Sequence, residues 1–193
     1  MSEPSDPNAP LSPASGRRPH SGPLDGPHRR QREALHVTFI CTGNICRSPM
    51  AEKMFADQLR RRGLGDAVRV SSAGTGNWHV GNGADARAAR VLRDHGYPTE
   101  HRAAQVDAEH LAADLVVALG RNHARMLRQL GVEDGRIRML RSFDPRSGAY
   151  VRDVEDPYYG DHDDFEEVFA VIEAALPGLH DWVDEQLAQN GHG

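Results

Sequence analysis

An abrupt change of character near residue 41 constrains this chain more than any other feature. Val37, Thr38, Phe39 and Ile40 form a β-branched and aromatic run suited to a buried strand. Cys41 follows, Arg47 comes six residues later, and Ser48 and Pro49 then open a helical pattern of Ala51, Met54 and Leu59 that ends near Arg62, before Gly63. Ser48 suits the N-cap and Pro49 the first helical position. A nucleophile at a strand end therefore faces the start of a helix.

Chemistry follows from that juxtaposition. A helix start presents unpaired N–H groups and a partial positive charge to the loop before it, which favours anions. A loop curled between Cys41 and Arg47 can turn its N–H groups inward, with Gly43 and Asn44 tolerating the backbone angles this needs. A phosphate fits such a ring. The same field favours a thiolate at Cys41, and the planar fork of Arg47 can hold two phosphoryl oxygens, which a lysine does less well. A cysteine and an arginine at this spacing also arise by chance, and buried cysteines are commonly inert packing residues. The flanking strand and helix give the pattern its weight.

Further along, short apolar runs alternate with helical periodicity. Strands are expected at 36–40, 68–71, 114–119 and 136–140, the third of them (DLVVAL) a continuous apolar run of the central parallel type. Helices are expected at 84–95, 121–130 and 163–176, with Pro177 and Gly178 breaking the last before a further helix at 179–187 that docks Trp182 and Val183. The pattern predicts an α/β fold, a four-stranded parallel sheet with helices on both faces and the cysteine loop at the carboxyl end of strand one.

At 193 residues the chain suits one folded domain, expected over residues 36–187. Residues 1–35 hold seven of the twelve prolines and few large aliphatics, so a disordered N-terminal extension is expected there, and a flexible C-terminal tail at 188–193. The net charge of −5, with both signs interspersed, points to neither nucleic acid nor a membrane surface. With no long apolar run or signal segment, the expected location is the cytoplasm, with signal-less export left open.

The segment CTGNICRSPMAE resembles the phosphate-binding loop of the low-molecular-weight protein tyrosine phosphatases, and SAGTGNWHVG and DPYYGD recur in that family in the same order. The resemblance covers residues 36 to 187 and is strongest to actinobacterial members. It implies hydrolysis of phosphotyrosine through a phosphocysteine on Cys41, with Arg47 stabilising the transferred group. A departing phenolate needs a proton. Asp156, fixed in direction by Pro157, is the expected general acid among competitors Asp153, Glu155, Asp161, Asp163 and Asp164, and the resemblance gives it the same role.

Substrate-binding groups are then expected at Thr42, Gly43, Asn44, Ile45, Cys46 and Ser48 of the loop, with Trp78, Tyr158 and Tyr159 as aromatic walls. Ser48 is expected to donate to the Cys41 sulfur as well as cap the helix, and Asn44 to hold the loop's shape or simply to make a turn. Trp78 has a core reading beside the wall reading, and His79 reads as structural. Ile45 favours phosphotyrosine over phosphoarginine, since related arginine phosphatases resemble this loop with a smaller polar residue there. Cys46 is either a packing residue or a thiol able to trap oxidised Cys41. Where many family members carry an acid after the third strand, this chain has Gly120.

No metal or other cofactor is expected, since the acidic run Asp161 to Glu167 lacks calcium-loop spacing and reads as a solvated helix start. Expected partners are phosphotyrosine proteins, inorganic phosphate as product, and a tyrosine kinase acting on Tyr158 and Tyr159; a monomer is expected. Three rival readings remain: a protein arginine phosphatase, an arsenate reductase, for which two cysteines leave too few thiols, and a non-catalytic phosphate-binding module.

Overall fold

Burial on both sides of one central strand organises the molecule. In the computed structural model, which describes residues 33–191, strands β1 (Leu35–Cys41), β2 (Val68–Gly74), β3 (Leu115–Ala118) and β4 (Ile137–Met139) are all parallel and lie in the order β2-β1-β3-β4. Val37, Phe39 and Cys41 point to one face, where helices α1 (Arg47–Arg61), α2 (Ala86–Asp94) and α5 (His162–Gly191) supply Met50, Met54, Phe55, Val91, Phe165 and Ile172. Ile40 points the other way, joining Val116 and Ala118 of β3 against Ala124 and Leu127 of α4 (Arg121–Gln129). Alternation along each strand thus fills two cores. Each wholly buried side chain of the size of Phe39 or Phe165 contributes about 1.5–3 kcal/mol.

The chain leaves β1 towards β2, then crosses back past β1 to β3 and β4. That reversal opens a crevice at the carboxyl ends of β1 and β3, the place where open parallel sheets bind ligands.

Several local expectations need correction. α1 begins at Arg47, not Pro49, and no side chain caps it. Ser48 is therefore not the N-cap: its hydroxyl is spent on Cys41, and Pro49 is tolerated because its missing N–H still falls within the first turn. Pro177 and Gly178 do not break α5, which runs unbroken from His162 to Gly191. Pro177 faces solvent while Leu176, Leu179 and Val183 lock both halves into one core, and Gly178 lets the helix approach the carbonyl of Phe143, 2.1 Å from where a Cβ would sit. The helix also continues past Leu187, so 188–191 are helical rather than a flexible tail. Leu35 belongs to β1, buried and paired with Val68, and not to the N-terminal extension. A four-residue helix, α3 (Ala108–Leu111), went unexpected; Asp107 caps it, accepting from the N–H groups of Glu109 and His110. The expected extension lies, over 1–32, outside the described residues, as do 192 and 193.

Candidate active site

The loop from Cys41 to Arg47 joins β1 to α1 and turns on Asn44, whose φ of 56° is left-handed. That conformation costs a non-glycine residue about 1–2 kcal/mol, and Asn44, wholly buried, recovers it through its partners. Its Nδ2 donates to Ser48 Oγ at 2.8 Å and to Ser72 Oγ at 2.9 Å, its Oδ1 accepts from Ala104 N at 2.9 Å, and its carbonyl accepts from His101 Nε2 at 2.7 Å. With Asn44 donating to Ser48, the serine proton is directed to Cys41 Sγ, 2.9 Å away. The backbone N–H of Asn44 also donates to Sγ, at 3.3 Å. Two donors converge on the sulfur.

Behind the loop the chain of polar contacts continues. Ser72 Oγ donates to Glu52, whose other oxygen takes Lys53 Nζ at 2.8 Å. Burial holds His101 below the usual histidine range, so its neutral ring donates to Asn44. On the far side, Thr42 Oγ1 meets His123 Nε2 at 2.9 Å. Burial, then the neighbouring Arg47 guanidinium, pushes His123 down to about 4. β2 supports the loop from beneath: Thr75 and Gly76 donate to the carbonyls of Cys41 and Thr42, and a Cβ at Gly74 would lie 2.6 Å from Thr42 O.

Arg47, 7% exposed, reaches across the cleft. It donates to Val154 O at 3.1 Å and to Asp156 Oδ2 at 3.1 Å. Asp156 also accepts from Tyr158 N at 3.2 Å, the turn that Pro157 sets up. Arg87 pins this acid loop by donating to Gly160 O at 2.8 Å and Tyr158 O at 3.0 Å, while its own guanidinium holds Asp85 below the usual carboxylate range.

A cleft of about 170 Å³ results, lined by Cys41 through Arg47 with Trp78, His79, Asp156, Tyr158 and Tyr159. A cysteine sulfur under two donors, a buried arginine and a carboxyl group thus meet at one anion-sized cavity. Residues 36–190 match the family model of low molecular weight phosphotyrosine protein phosphatases. The chain belongs to that family.

The phosphatase is 82% identical over 159 residues to low molecular weight protein-tyrosine phosphatase A of Mycobacterium tuberculosis, covering 82% of this chain and 98% of that protein. It is 49% identical to a low molecular weight protein-tyrosine-phosphatase of Streptomyces coelicolor, covering 78% and 94%. Among solved structures it resembles the protein tyrosine phosphatase from Entamoeba histolytica with Hepes in the active site, at a TM-score of 0.73 and 28% identity over 79% of this chain and 99% of that one.

Within the phosphatase, the loop residues and the aromatic residues expected from sequence all come to the cleft, except Ser48, which is wholly buried behind the sulfur. Trp78 is 73% exposed, which removes its core reading, and Tyr159 is 97% exposed. Cys46 is buried, and burial with nearby negative charge pushes its thiol up to about 12. At Gly120 the structure supplies a substitute acid: Asp153 Oδ1 accepts from Arg121 N at 3.0 Å and caps α4. Asp161 and Asp164 likewise cap α5, accepting from each other's turn. Sequence reasoning missed His123, His101, Ser72, Glu52 and Arg87. All act through another residue, and apart from Glu52, the last residue of CTGNICRSPMAE, none lies in the cysteine-loop motif.

Proposed function

We propose that this phosphatase hydrolyses phosphotyrosine in proteins by two displacements at phosphorus. The convergence of Ser48 and the Asn44 N–H on Cys41 Sγ, with Arg47 reaching Asp156, is the observation that carries the reading. In the first step Sγ attacks phosphorus, the bond to the tyrosine oxygen breaks, and Asp156 gives its proton to the departing phenolate. Arg47 turns from Asp156 to two equatorial oxygens, and the loop N–H groups hold the remaining charge. In the second, water attacks the phosphocysteine, Asp156 takes its proton, the P–S bond breaks, and Ser48 steadies the departing thiolate. Phosphate leaves. The protein groups supply all the charge stabilisation, so no metal is needed.

The aromatic walls fit a phenyl ring: Tyr158 stands 6.2 Å from His79 and 4.9 Å from Tyr159, ring centre to ring centre. Exposure makes Tyr159 and Tyr158 accessible to a tyrosine kinase, whose added charge at the mouth would repel substrate. The enzyme acts as a cytoplasmic monomer in this reading; no helix among the described residues is long and apolar enough to cross a membrane.

The test is a parallel assay, without metal, of phosphotyrosine, phosphoserine and phosphoarginine peptides and of arsenate. Phosphotyrosine turnover is expected, with no turnover for Cys41→Ser and a loss for Asp156→Ala that is larger for poor leaving groups than good ones. Turnover by Cys41→Ser, or a preference for phosphoarginine or arsenate, overturns the proposal.

A further inference from the structure

Residues 121–152 carry eight arginines against three carboxylates, in a chain whose net charge is −5. The fold gathers six of them into two neighbouring depressions beside α4. Arg121, Arg125 and Arg128 line a depression between α4 and the segment 149–151, with the exposed Tyr150 in its wall. Across Tyr150, a second depression is lined by Arg141, Arg146 and Arg152. No acidic side chain lines either one.

Some of these charges are already matched. Arg128 pairs with Asp134, and Arg146 with Asp144 at 3.1 Å. Arg121 lies over the Tyr150 ring at 4.3 Å and only 4.0 Å from Asp153. The side chains of Arg125 and Arg152 are exposed and have no hydrogen bond or ion pair among the described residues, and Nε of Arg141 is buried with no partner. Donors there are unspent.

This surface is joined to the catalytic groups. Arg121 donates to Val151 O at 3.0 Å and Arg141 to Asp153 O at 3.3 Å, and the same segment then gives Val154 O to Arg47 and ends at Asp156. Arg152 is four residues from Asp156, a span of at most about 14 Å when extended. A peptide with its phosphotyrosine in the cleft covers that distance in about four residues. On the other side of Asp156, Arg141 shares a small depression with Glu155, Asp164 and Glu167, so the basic surface ends where the acids of α5 begin.

The geometry points to Arg125 and Arg152, with Arg121 and Arg141, as a docking surface for an acidic segment of the substrate protein about three to five residues from its phosphotyrosine. The inference rests on the phosphotyrosine reading above. Single-stranded nucleic acid also seeks arginine, but the continuity with the cleft and the net negative chain favour a peptide.

The experiment compares phosphotyrosine peptides carrying three acidic residues, or their amides, on either flank, with p-nitrophenyl phosphate as a substrate too small to reach the arginines. The acidic flank on one side is expected to raise kcat/KM about fivefold through KM, and the gain should shrink in high salt. In the double variant Arg125→Glu, Arg152→Glu the gain is expected to vanish, with p-nitrophenyl phosphate turnover within about twofold of the parent. Equal rates for acidic and amide peptides, or a gain that survives in the variant, overturn the inference while leaving the phosphatase reading intact. If neither small substrate nor peptide is turned over, the phosphatase reading fails instead. Anisotropy of the labelled acidic peptide on the Cys41→Ser variant then still decides: affinity equal to that of the amide peptide sinks the docking surface. So does a labelled oligonucleotide that binds in an Arg125- and Arg152-dependent way when the acidic peptide does not.

Discussion

Thr42 Oγ1 and His123 Nε2 lie 2.9 Å apart, joining the residue after Cys41 to the first turn of a helix on the other face of the sheet. His123→Ala leaves the threonine unpartnered and opens space beside it, and kcat is expected to fall about three- to tenfold, the worth of one hydrogen bond. His123→Gln reaches the same place with its terminal amide and should keep most of the activity, whereas the shorter His123→Asn should not. Steady-state kinetics on an aryl phosphate separates the three; equal losses in Gln and Ala variants would show a packing role alone.

The same histidine makes stability pH-dependent. Its folded value of about 4 lies below the unfolded 6.5, so between those values the unfolded chain takes up a proton that the folded chain refuses. Stability present above pH 6.5 is therefore lost as pH falls through that window, by about 2 kcal/mol at pH 5. Burial lowers His36, His101 and His180 in the same direction. Urea midpoints at pH 7 and pH 5 should differ less in His123→Gln than in the parent. Carboxylates such as Asp85 and Asp144, held low by their arginine partners, act only below this range.

Asn44→Ala removes three side-chain hydrogen bonds and places a Cβ-bearing residue without compensation at φ 56°. A loss of about 3 kcal/mol or more is expected, with kcat falling because Ser48 is no longer oriented. Asn44→Gly relieves the backbone, so thermal melting should show partial recovery of stability without recovery of kcat.

How much of this was legible beforehand depended on range. The four strands and the cysteine loop were readable because apolar runs and an ordered motif are local signals. The Asp156 assignment rested on its neighbour Pro157 and on resemblance. The unbroken α5 was not readable: Pro177 and Gly178 look like a stop, and only the Phe143 carbonyl beneath Gly178 and the solvent beside Pro177 explain why the helix continues. Of the two roles expected for Ser48, the contact with the Cys41 sulfur is present and the cap is not, since the sulfur seven residues earlier claims the hydroxyl that a serine before a proline would otherwise give to a cap. His123 and Arg87 stayed invisible because each reaches its partner across the fold.

Gly178→Ala would set a methyl group 2.1 Å from the Phe143 carbonyl. α5 or the preceding turn must shift, and a loss of about 1–3 kcal/mol is expected in chemical denaturation. A variant as stable as the parent would mean that the contact yields without strain.

Cys46, with its thiol pushed up to about 12, should resist alkylation at pH 7.5 in the folded protein while Cys41 is labelled. Peptide mapping after iodoacetamide reads this directly. The protonated thiol also makes Cys46 a slow trap for oxidised Cys41. Peroxide should therefore inactivate without the two-dalton mass loss of a disulfide; that loss, with activity restored by thiol, would reinstate redox protection.

Arg47 is held by Val154 and Asp156, more than a hundred residues further along the chain. In the proposed mechanism, a ribosome that has released only the first two thirds of this polypeptide has made Cys41 and its loop but not the groups that aim the guanidinium and supply the proton. Turnover thus becomes a report on whether synthesis and folding have finished, and a truncated product cannot act as a stray esterase in the cell.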